Sequence, residues 1–64
     1  MALVENIKQI CAERRITVSE VEERAGLAKN SIYKWDRHSP SVKAVARVAR
    51  VLETTVDRLI KGED

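Results

Sequence analysis

The sequence predicts an all-α fold, a compact bundle of five short helices without strands. Three observations support this prediction. Apolar residues recur at the spacing of one helix face along most of the chain. Hydroxyl residues that can cap a helix, Thr17, Ser41 and Thr55, each precede one of these apolar stretches. The 64 residues are 44% hydrophobic, enough for one core, so residues 1–64 are predicted to form a single domain.

The first two helices are predicted in the amino-terminal part of the chain. Five apolar residues share one face of the first helix: Leu3, Val4, Ile7, Ile10 and Cys11. This helix is expected to end near residues 14–15, because the two arginines there are favourable at a helix C-terminus. The second helix is predicted over about residues 18–25. Thr17 and Glu20 have the spacing of a capping box at its start, and Gly26 supplies the left-handed residue that ends it.

The other three helices follow in the middle and at the end of the chain. A third helix is predicted over about residues 29–37 and must end before Pro40, because proline disfavours helical geometry in the residue before it. Ser41 can cap a fourth helix, whose inward face is expected to consist of Val42, Val45, Ala46, Ala49 and Leu52. Thr55 can cap a fifth helix that stops at Gly62, with three residues facing inward: Val56, Leu59 and Ile60.

The composition leaves few classes of protein open. The single cysteine, Cys11, cannot form an internal disulfide, and no cluster of cysteine and histidine residues is present to bind zinc. We therefore expect no metal and no other cofactor. The longest apolar run covers residues 1–4, so neither a signal peptide nor a membrane span is predicted. A small, soluble, cytoplasmic domain is expected.

Catalysis is not predicted. Asp36 and His38 are the nearest approach to an acid–base pair, but no nucleophile accompanies them. A chain with one small core also has too few residues to wall a substrate pocket of roughly several hundred Å³.

Positive charge is concentrated in residues 28–50, which we call the basic segment. This segment has six basic residues against one acid, a net charge of +5, although the whole chain carries +2. Its basic residues are Lys29, Lys34, Arg37, Lys43, Arg47 and Arg50. Such a concentration indicates a polyanion partner on one face, and the alternative is an ordinary solvated helix face. Arg47 and Arg50 are expected to be solvated, since they lie towards the far end of the fourth helix.

The second and third predicted helices, joined by a turn around Gly26, have the outline of a helix-turn-helix. On the third helix, Ile32 and Trp35 are spaced three residues apart and are expected to face the core. Five polar residues are expected to face outward on the opposite side: Lys29, Asn30, Tyr33, Lys34 and Arg37. Ammonium, amide and phenol groups of this kind hydrogen-bond base edges and phosphates.

Motifs spread over residues 6–61 resemble one known family. They include Asn6-Ile7-Lys8-Gln9-Ile10, Ala25-Gly26-Leu27, Ser31-Ile32-Tyr33-Lys34-Trp35-Asp36, Pro40-Ser41-Val42 and Val56-Asp57-Arg58-Leu59-Ile60. These motifs are similar to those of the phage Cro/repressor-like helix-turn-helix family, also called the XRE family. The resemblance implies the lambda-repressor-like five-helix fold, with the helix-turn-helix at about residues 17–37. Residues 32–42 look most like the repressors of temperate phages and prophages.

The resemblance also implies which residues meet DNA. The base-reading positions fall on Lys29, Asn30, Tyr33 and Lys34, although an exposed tyrosine can also simply cover lysine stems. Six residues are implied to meet the phosphate backbone: Ser31, Arg37, His38, Ser39, Ser41 and Lys43. For Lys43 the charge argument agrees, because a cation in the first turn of a helix is otherwise unfavourable.

Three residues depart from the family pattern. Val18 stands where many relatives carry a glutamine that contacts a phosphate, so that contact is expected to be lost. Glu22 replaces a small residue where the second and third helices cross, so altered packing is expected there. Cys11 stands where relatives often have an arginine paired with the acid that matches Asp36. Asp36 is therefore expected to find another partner or to remain solvated.

The function predicted from these observations is sequence-specific DNA binding in transcription regulation. The resemblance implies a phage or prophage repressor that occupies double-stranded operator DNA, as a homodimer on a palindrome. Two alternatives remain open. One is a protein-interaction module that uses the same fold to bind an antirepressor or a toxin, and the other is the N-terminal part of a longer repressor.

Overall fold

Five helices make up most of residues 3–62, the part of the chain that this computed structural model describes. They are α1 (Leu3–Glu13), α2 (Val18–Arg24), α3 (Ser31–Lys34), α4 (Val42–Val51) and α5 (Val56–Lys61). No strand occurs within residues 3–62, so the predicted all-α, five-helix fold is confirmed. The first two and the last two residues of the predicted domain lie outside the described residues.

The helices enclose one hydrophobic core, to which every helix contributes. α1 packs against α2 and α5, and α4 packs against the same two helices from another side. The most completely buried side chains are Ile7, Val21, Ile32, Val48, Leu52 and Leu59. Burial of one such side chain contributes roughly 1.5–3 kcal/mol to folding. Within residues 3–62, none of the helices has the length and apolar character needed to cross a membrane.

The three predicted hydroxyl caps are present at the starts of three helices. The Thr17 hydroxyl oxygen accepts from the Glu20 amide at 3.0 Å, at the start of α2. At the start of α4, the Ser41 oxygen accepts from the Ala44 amide at 3.1 Å, and at α5 the Thr55 oxygen accepts from the Arg58 amide at 3.1 Å. Each bond satisfies one of the amides that the first turn of a helix leaves without a partner.

Three helices end in the same left-handed turn. The residues at the turn are Arg15 after α1, Gly26 after α2 and Glu53 after α4, with φ of 57°, 72° and 56°. In each turn the following amide donates back to a carbonyl in the last helical turn, from Ile16 to Cys11 at 3.0 Å, from Leu27 to Glu22 at 2.8 Å and from Thr54 to Ala49 at 2.8 Å. This is the Schellman arrangement, so the predicted role of Gly26 is confirmed.

The boundaries of α3 differ from the prediction. The helix was expected over residues 29–37 and covers only Ser31–Lys34. Asn30 has φ of 68°, which no right-handed helix accommodates, so Lys29 and Asn30 form a turn before the helix. At the other end, the Trp35 amide donates to the Ile32 carbonyl three residues back at 3.0 Å, and the chain continues in turns towards Pro40.

Two of the predicted inward faces are also corrected. Val42 was expected to face the core but is 80% exposed, and Ala46 is exposed as well. The buried stripe of α4 passes instead through Val45, Val48, Ala49 and Leu52, whose spacing faces α2 and α5 together. On α5, Leu59 is fully buried, but the next residue, Ile60, is 43% exposed. Neighbouring residues of a helix point in different directions, and the core covers only one side of α5.

Asn6 links α1 to the end of α5. Its side-chain amide donates to the Leu59 carbonyl at 2.8 Å and to the Ile60 carbonyl at 3.4 Å. These are carbonyls that the last turn of a helix leaves without an internal partner. Gly62 follows with φ of 79°, and a Cβ atom there would lie 3.0 Å from the Asn6 side-chain oxygen. The carboxyl end of α5 is therefore closed by a side chain from α1.

The left-handed turns predict opposite effects of two substitutions. Gly26→Ala should lower the free energy of unfolding by about 1 kcal/mol, because an L-residue is strained at this φ even though a Cβ atom would meet nothing within 4 Å. Arg15→Gly, at the same kind of turn, should raise it by up to about 1 kcal/mol. Urea unfolding followed by circular dichroism measures both. If Gly26→Ala unfolds at the same urea concentration as the parent domain, strain at this turn does not limit stability.

Candidate nucleic-acid interface

The cations of the basic segment lie at the surface, and within residues 3–62 they have no acidic partners. Lys29, Lys34, Arg37, Lys43, Arg47 and Arg50 are all exposed. Among the described residues, ion pairs join Arg14 to Glu53, Arg24 to Glu20 and Lys61 to Asp57, all outside this segment. The single acid of the segment, Asp36, is exposed and takes part in none of these pairs. The segment therefore presents its positive charge to solvent, with no ion pair to neutralise it in the part of the chain that the structure describes.

α3 divides into an inner and an outer face, as predicted. Ile32 is fully buried, and Trp35, directly after the helix, packs half-buried against the core. The burial expected for Trp35 is thus only partial. On the outer face, Tyr33 is 47% exposed and Lys34 is exposed. The four-residue helix α3 thus directs only Tyr33 and Lys34 outward. The other two predicted base-reading residues, Lys29 and Asn30, lie in the turn before the helix.

That turn holds Lys29 and Asn30, both exposed. Asn30 is the N-cap of α3, but its side chain makes no capping hydrogen bond. Asparagine is one of the few residues that adopt the left-handed conformation readily, which gives Asn30 a conformational role in addition to the predicted one. Its side chain is exposed, as is that of Lys29, the preceding residue.

The Glu22 carboxylate accepts hydrogen bonds at the start of α3, where the Asn30 side chain makes no capping bond. The side chain of Glu22 is 2% exposed, at the crossing of α2 and α3. One carboxylate oxygen accepts from the Asn30 amide at 2.9 Å, and the other accepts from the Ile32 amide at 3.0 Å. The altered packing expected at Glu22 is therefore a buried carboxylate bound to the start of α3.

The capping role of Glu22 was not predicted, although the sequence contains a signal for it. Val18, Val21, Glu22 and Ala25 are spaced along α2 as one stripe, and all four are buried. An acid within such a stripe must find hydrogen-bond donors, because burial of an unpartnered carboxylate is very costly. No cation lies in this stripe, so the donors had to come from another part of the chain, and in the structure they are backbone amides.

Lys8 is a second residue that the sequence did not single out. Its ammonium nitrogen lies 5.9 Å from the centre of the Tyr33 ring. A cation at this distance over an exposed ring contributes about 0.5–1 kcal/mol. The contact brings a cation from α1 to the outer face of α3 and restricts the orientation of the phenol.

The predicted phosphate-contacting residues differ in how free their donors are. Arg37, His38, Ser39 and Lys43 are exposed. The Ser41 oxygen accepts the capping bond, which leaves its hydroxyl proton for an outside acceptor. Ser31 is half-buried, and its hydroxyl donates to the Ala28 carbonyl at 2.6 Å. Ser31 is therefore the least suited of the six to donate to a phosphate.

The cysteine is a core residue. Cys11 is buried on the inner face of α1, and desolvation raises the pKa of its thiol. The thiol therefore stays protonated at neutral pH and behaves as a small apolar group. No group of three or more metal-ligating side chains occurs among residues 3–62.

Comparison with known proteins assigns the family. Residues 6–64 match the family model of the Cro/C1-type HTH DNA-binding domain. The chain belongs to this family. The predicted resemblance to Cro/repressor-like proteins is thereby confirmed, and the family is one of DNA-binding domains rather than of enzymes.

Individual relatives agree with this assignment. The HTH-type transcriptional regulator SinR of Bacillus licheniformis is 32% identical in an alignment of length 63 that covers 94% of this chain and 57% of that protein. The chain thus spans a little over half the length of this relative. The N-terminal DNA-binding domain of SinR from Bacillus subtilis superposes with a TM-score of 0.82, at 31% identity and 97% coverage of both chains.

Two further solved structures of SinR show the same fold with partners. SinR, described as the master regulator for biofilm formation, in complex with DNA has a TM-score of 0.80, at 31% identity, over 92% of this chain and 98% of that one. The complex of SinR with SinI has a TM-score of 0.81, at 30% identity, over 94% of this chain and 61% of that one. The DNA and SinI in these two structures are partners of SinR.

The cap at α4 predicts that two neighbouring serines differ in their effect on stability. Ser41→Ala should lower the free energy of unfolding by about 1 kcal/mol, because the Ala44 amide loses its acceptor. Ser39→Ala, two residues earlier and exposed, should change it by less than about 0.5 kcal/mol. Thermal and urea unfolding of the two variants give the comparison. Equal effects would mean that the hydroxyl of Ser41 does not stabilise α4.

Proposed function

We propose that this domain binds operator DNA sequence-specifically and serves in transcription regulation. The observation that carries the proposal is the basic segment, whose six cations are all exposed and lack acidic partners among residues 3–62. A surface of this kind attracts the phosphate backbone and releases the counterions bound to it. The family of DNA-binding domains to which the chain belongs supports the same function.

In this proposal α3 and the turn before it enter the major groove. Lys29 and Lys34 donate to guanine, and the Asn30 amide bonds adenine through both its donor and its acceptor. Tyr33, with Lys8 over its ring, contacts bases or the adjoining sugar. The phosphate backbone is bound by Arg37, His38, Ser39, Ser41 and Lys43, with a smaller contribution from Ser31. Phosphate contacts fix the position on the duplex, whereas base contacts select the sequence.

The proposed functional unit is a homodimer on a palindromic operator. One recognition helix reads too few base pairs to single out a site in a genome. Two copies whose recognition helices are about 34 Å apart, one turn of the duplex, read two half-sites. The domain would act in the cytoplasm, where its operator lies. Repression by occupancy of the operator is the proposed mode of action, and a phage or prophage source stays a prediction.

A protein partner is the second candidate function. An apolar groove of ≈ 170 Å³ lies beside the start of α4, lined by Leu3, Ser39, Pro40, Val42, Val45, Val56 and Ile60. Val42 and Ile60 expose apolar surface there, and exposed apolar surface of this kind is typical of contact sites. The relative SinR is known in complex with the protein SinI, which supports regulation by a protein partner.

The preferred DNA can be identified by selection from a random pool, and two variants then separate base reading from phosphate binding. Asn30→Gly removes the side-chain amide and keeps the left-handed turn, which alanine would strain. It should cost roughly 1–3 kcal/mol on the selected duplex and little on a scrambled one. Lys43→Ala should weaken both duplexes equally and lower the salt dependence by about one ion per subunit.

Titrations of both variants on both duplexes at several salt concentrations test the proposal. A pool that yields no preferred sequence would contradict sequence-specific binding. If binding to the duplexes does not weaken as the salt concentration rises, the result would favour the protein-partner function. Equal weakening of both duplexes by Asn30→Gly would remove Asn30 from the base-reading set.

A further inference from the structure

Glu22 is the buried charged residue among the described residues, and it lies directly beneath the proposed DNA-reading surface. Its carboxylate binds the amides of Asn30 and Ile32, eight and ten residues further along the chain. The carboxylate accepts from no other donor within residues 3–62. Within the described residues, every hydrogen bond of the carboxylate therefore comes from the backbone of the turn at Asn30 and the start of α3.

α3 depends on this contact more than a longer helix would. With four residues, it has no length over which internal hydrogen bonds can accumulate, and isolated short helices are unstable in water. The first amides of a helix need outside acceptors, and the Asn30 side chain does not provide one. A carboxylate from α2 therefore performs the capping function for α3.

The burial of an acid between two helices costs free energy, because the carboxylate loses its hydration. A small apolar residue would let α2 and α3 pack without the cost of desolvating a charge. The carboxylate adds a fixed orientation: two bonds, at 2.9 Å and 3.0 Å, to amides on both sides of Ser31. Two bonds from one rigid planar group set both the position and the rotation of the turn that Lys29 and Asn30 occupy.

We propose that Glu22 is a positioning residue for DNA recognition. It holds the turn of Lys29 and Asn30 and the first turn of α3 in the orientation that reads base edges. This inference rests on the proposed function, because it assigns the reading surface to that turn. In this role Glu22 affects the preference for one DNA sequence over another, and not the general attraction to DNA.

The sign of the electrostatic effect makes the proposal testable. A negative charge beneath a DNA-binding surface opposes the approach of phosphates. Removal of an acid should by itself strengthen binding to every duplex. If Glu22 acts only as a charge, its removal improves binding, and if it positions the reading turn, its removal lowers preference for the selected sequence.

Glu23 provides a matched control. It is the next residue on α2, is exposed, and takes part in none of the side-chain hydrogen bonds or ion pairs among the described residues. Glu23→Ala removes the same charge and should bind the selected and scrambled duplexes equally or more tightly, with an unchanged ratio. Glu22→Ala should lower the ratio of the two affinities by roughly five- to a hundredfold, the loss expected when one base contact is misplaced.

Glu22→Gln keeps the proposal testable if Glu22→Ala does not fold. It keeps the size of the side chain and one accepting oxygen, so it should fold and retain an intermediate ratio. Circular dichroism at the temperature of the titration establishes the folded fraction of each variant. Exchange of the Asn30 and Ile32 amide protons, measured without DNA, should be faster in both Glu22 variants and unchanged in Glu23→Ala.

The experiment is the set of affinities of the parent domain and the three variants for the selected and scrambled duplexes. A lowered ratio in Glu22→Ala, or in Glu22→Gln if the alanine variant is unfolded, supports the proposal. A folded Glu22 variant with the ratio of the parent domain overturns it and leaves the proposed function intact. A parent domain without preference for any sequence overturns the proposed function, and this inference with it.

Discussion

The proposed DNA-reading surface depends on the two hydrogen bonds that the Glu22 carboxylate accepts from the backbone at the start of α3. They join the amide of Asn30, in the turn before α3, and the amide of Ile32, within α3, to a buried position on α2. Ile32 anchors the same helix from the core side, since its side chain is fully buried. A four-residue helix held by one apolar side chain and one carboxylate keeps a defined orientation that its own hydrogen bonds could not give.

The other helices are also short, and their ends are stabilised by other contacts. Hydroxyl caps begin α2, α4 and α5, and left-handed turns end α1, α2 and α4. α5 is closed at its carboxyl end by Asn6 from α1. A chain of 64 residues buries a limited area, so the satisfaction of helix ends makes up a large part of what distinguishes the folded state. Exposed ion pairs such as Arg24 with Glu20 add little by comparison.

What the sequence predicts well is what depends on neighbours along the chain. The caps at Thr17, Ser41 and Thr55 and the turn at Gly26 follow from local chemistry, and the apolar spacing follows from helix geometry. The limits of α3 could not be predicted in this way, because Asn30 is left-handed and donates its amide hydrogen bond to the carboxylate of Glu22, eight residues earlier. The exposure of Val42 and Ile60 depends on the angles at which helices cross, which periodicity does not specify. The exposed cations of the basic segment were predictable, whereas the cation of Lys8 over Tyr33 is a contact between distant helices.

The most direct test of the account is a map of the backbone amides that respond when DNA binds. Nuclear magnetic resonance spectra of the ¹⁵N-labelled domain, titrated with its selected duplex, report each amide separately. We predict the largest shift changes within residues 28–43, with the Asn30 and Ile32 amides still protected from exchange in the complex. Spectra in which residues 28–38 do not change, while the walls of the apolar groove at Leu3, Val56 and Ile60 do, would contradict the proposed DNA-binding surface.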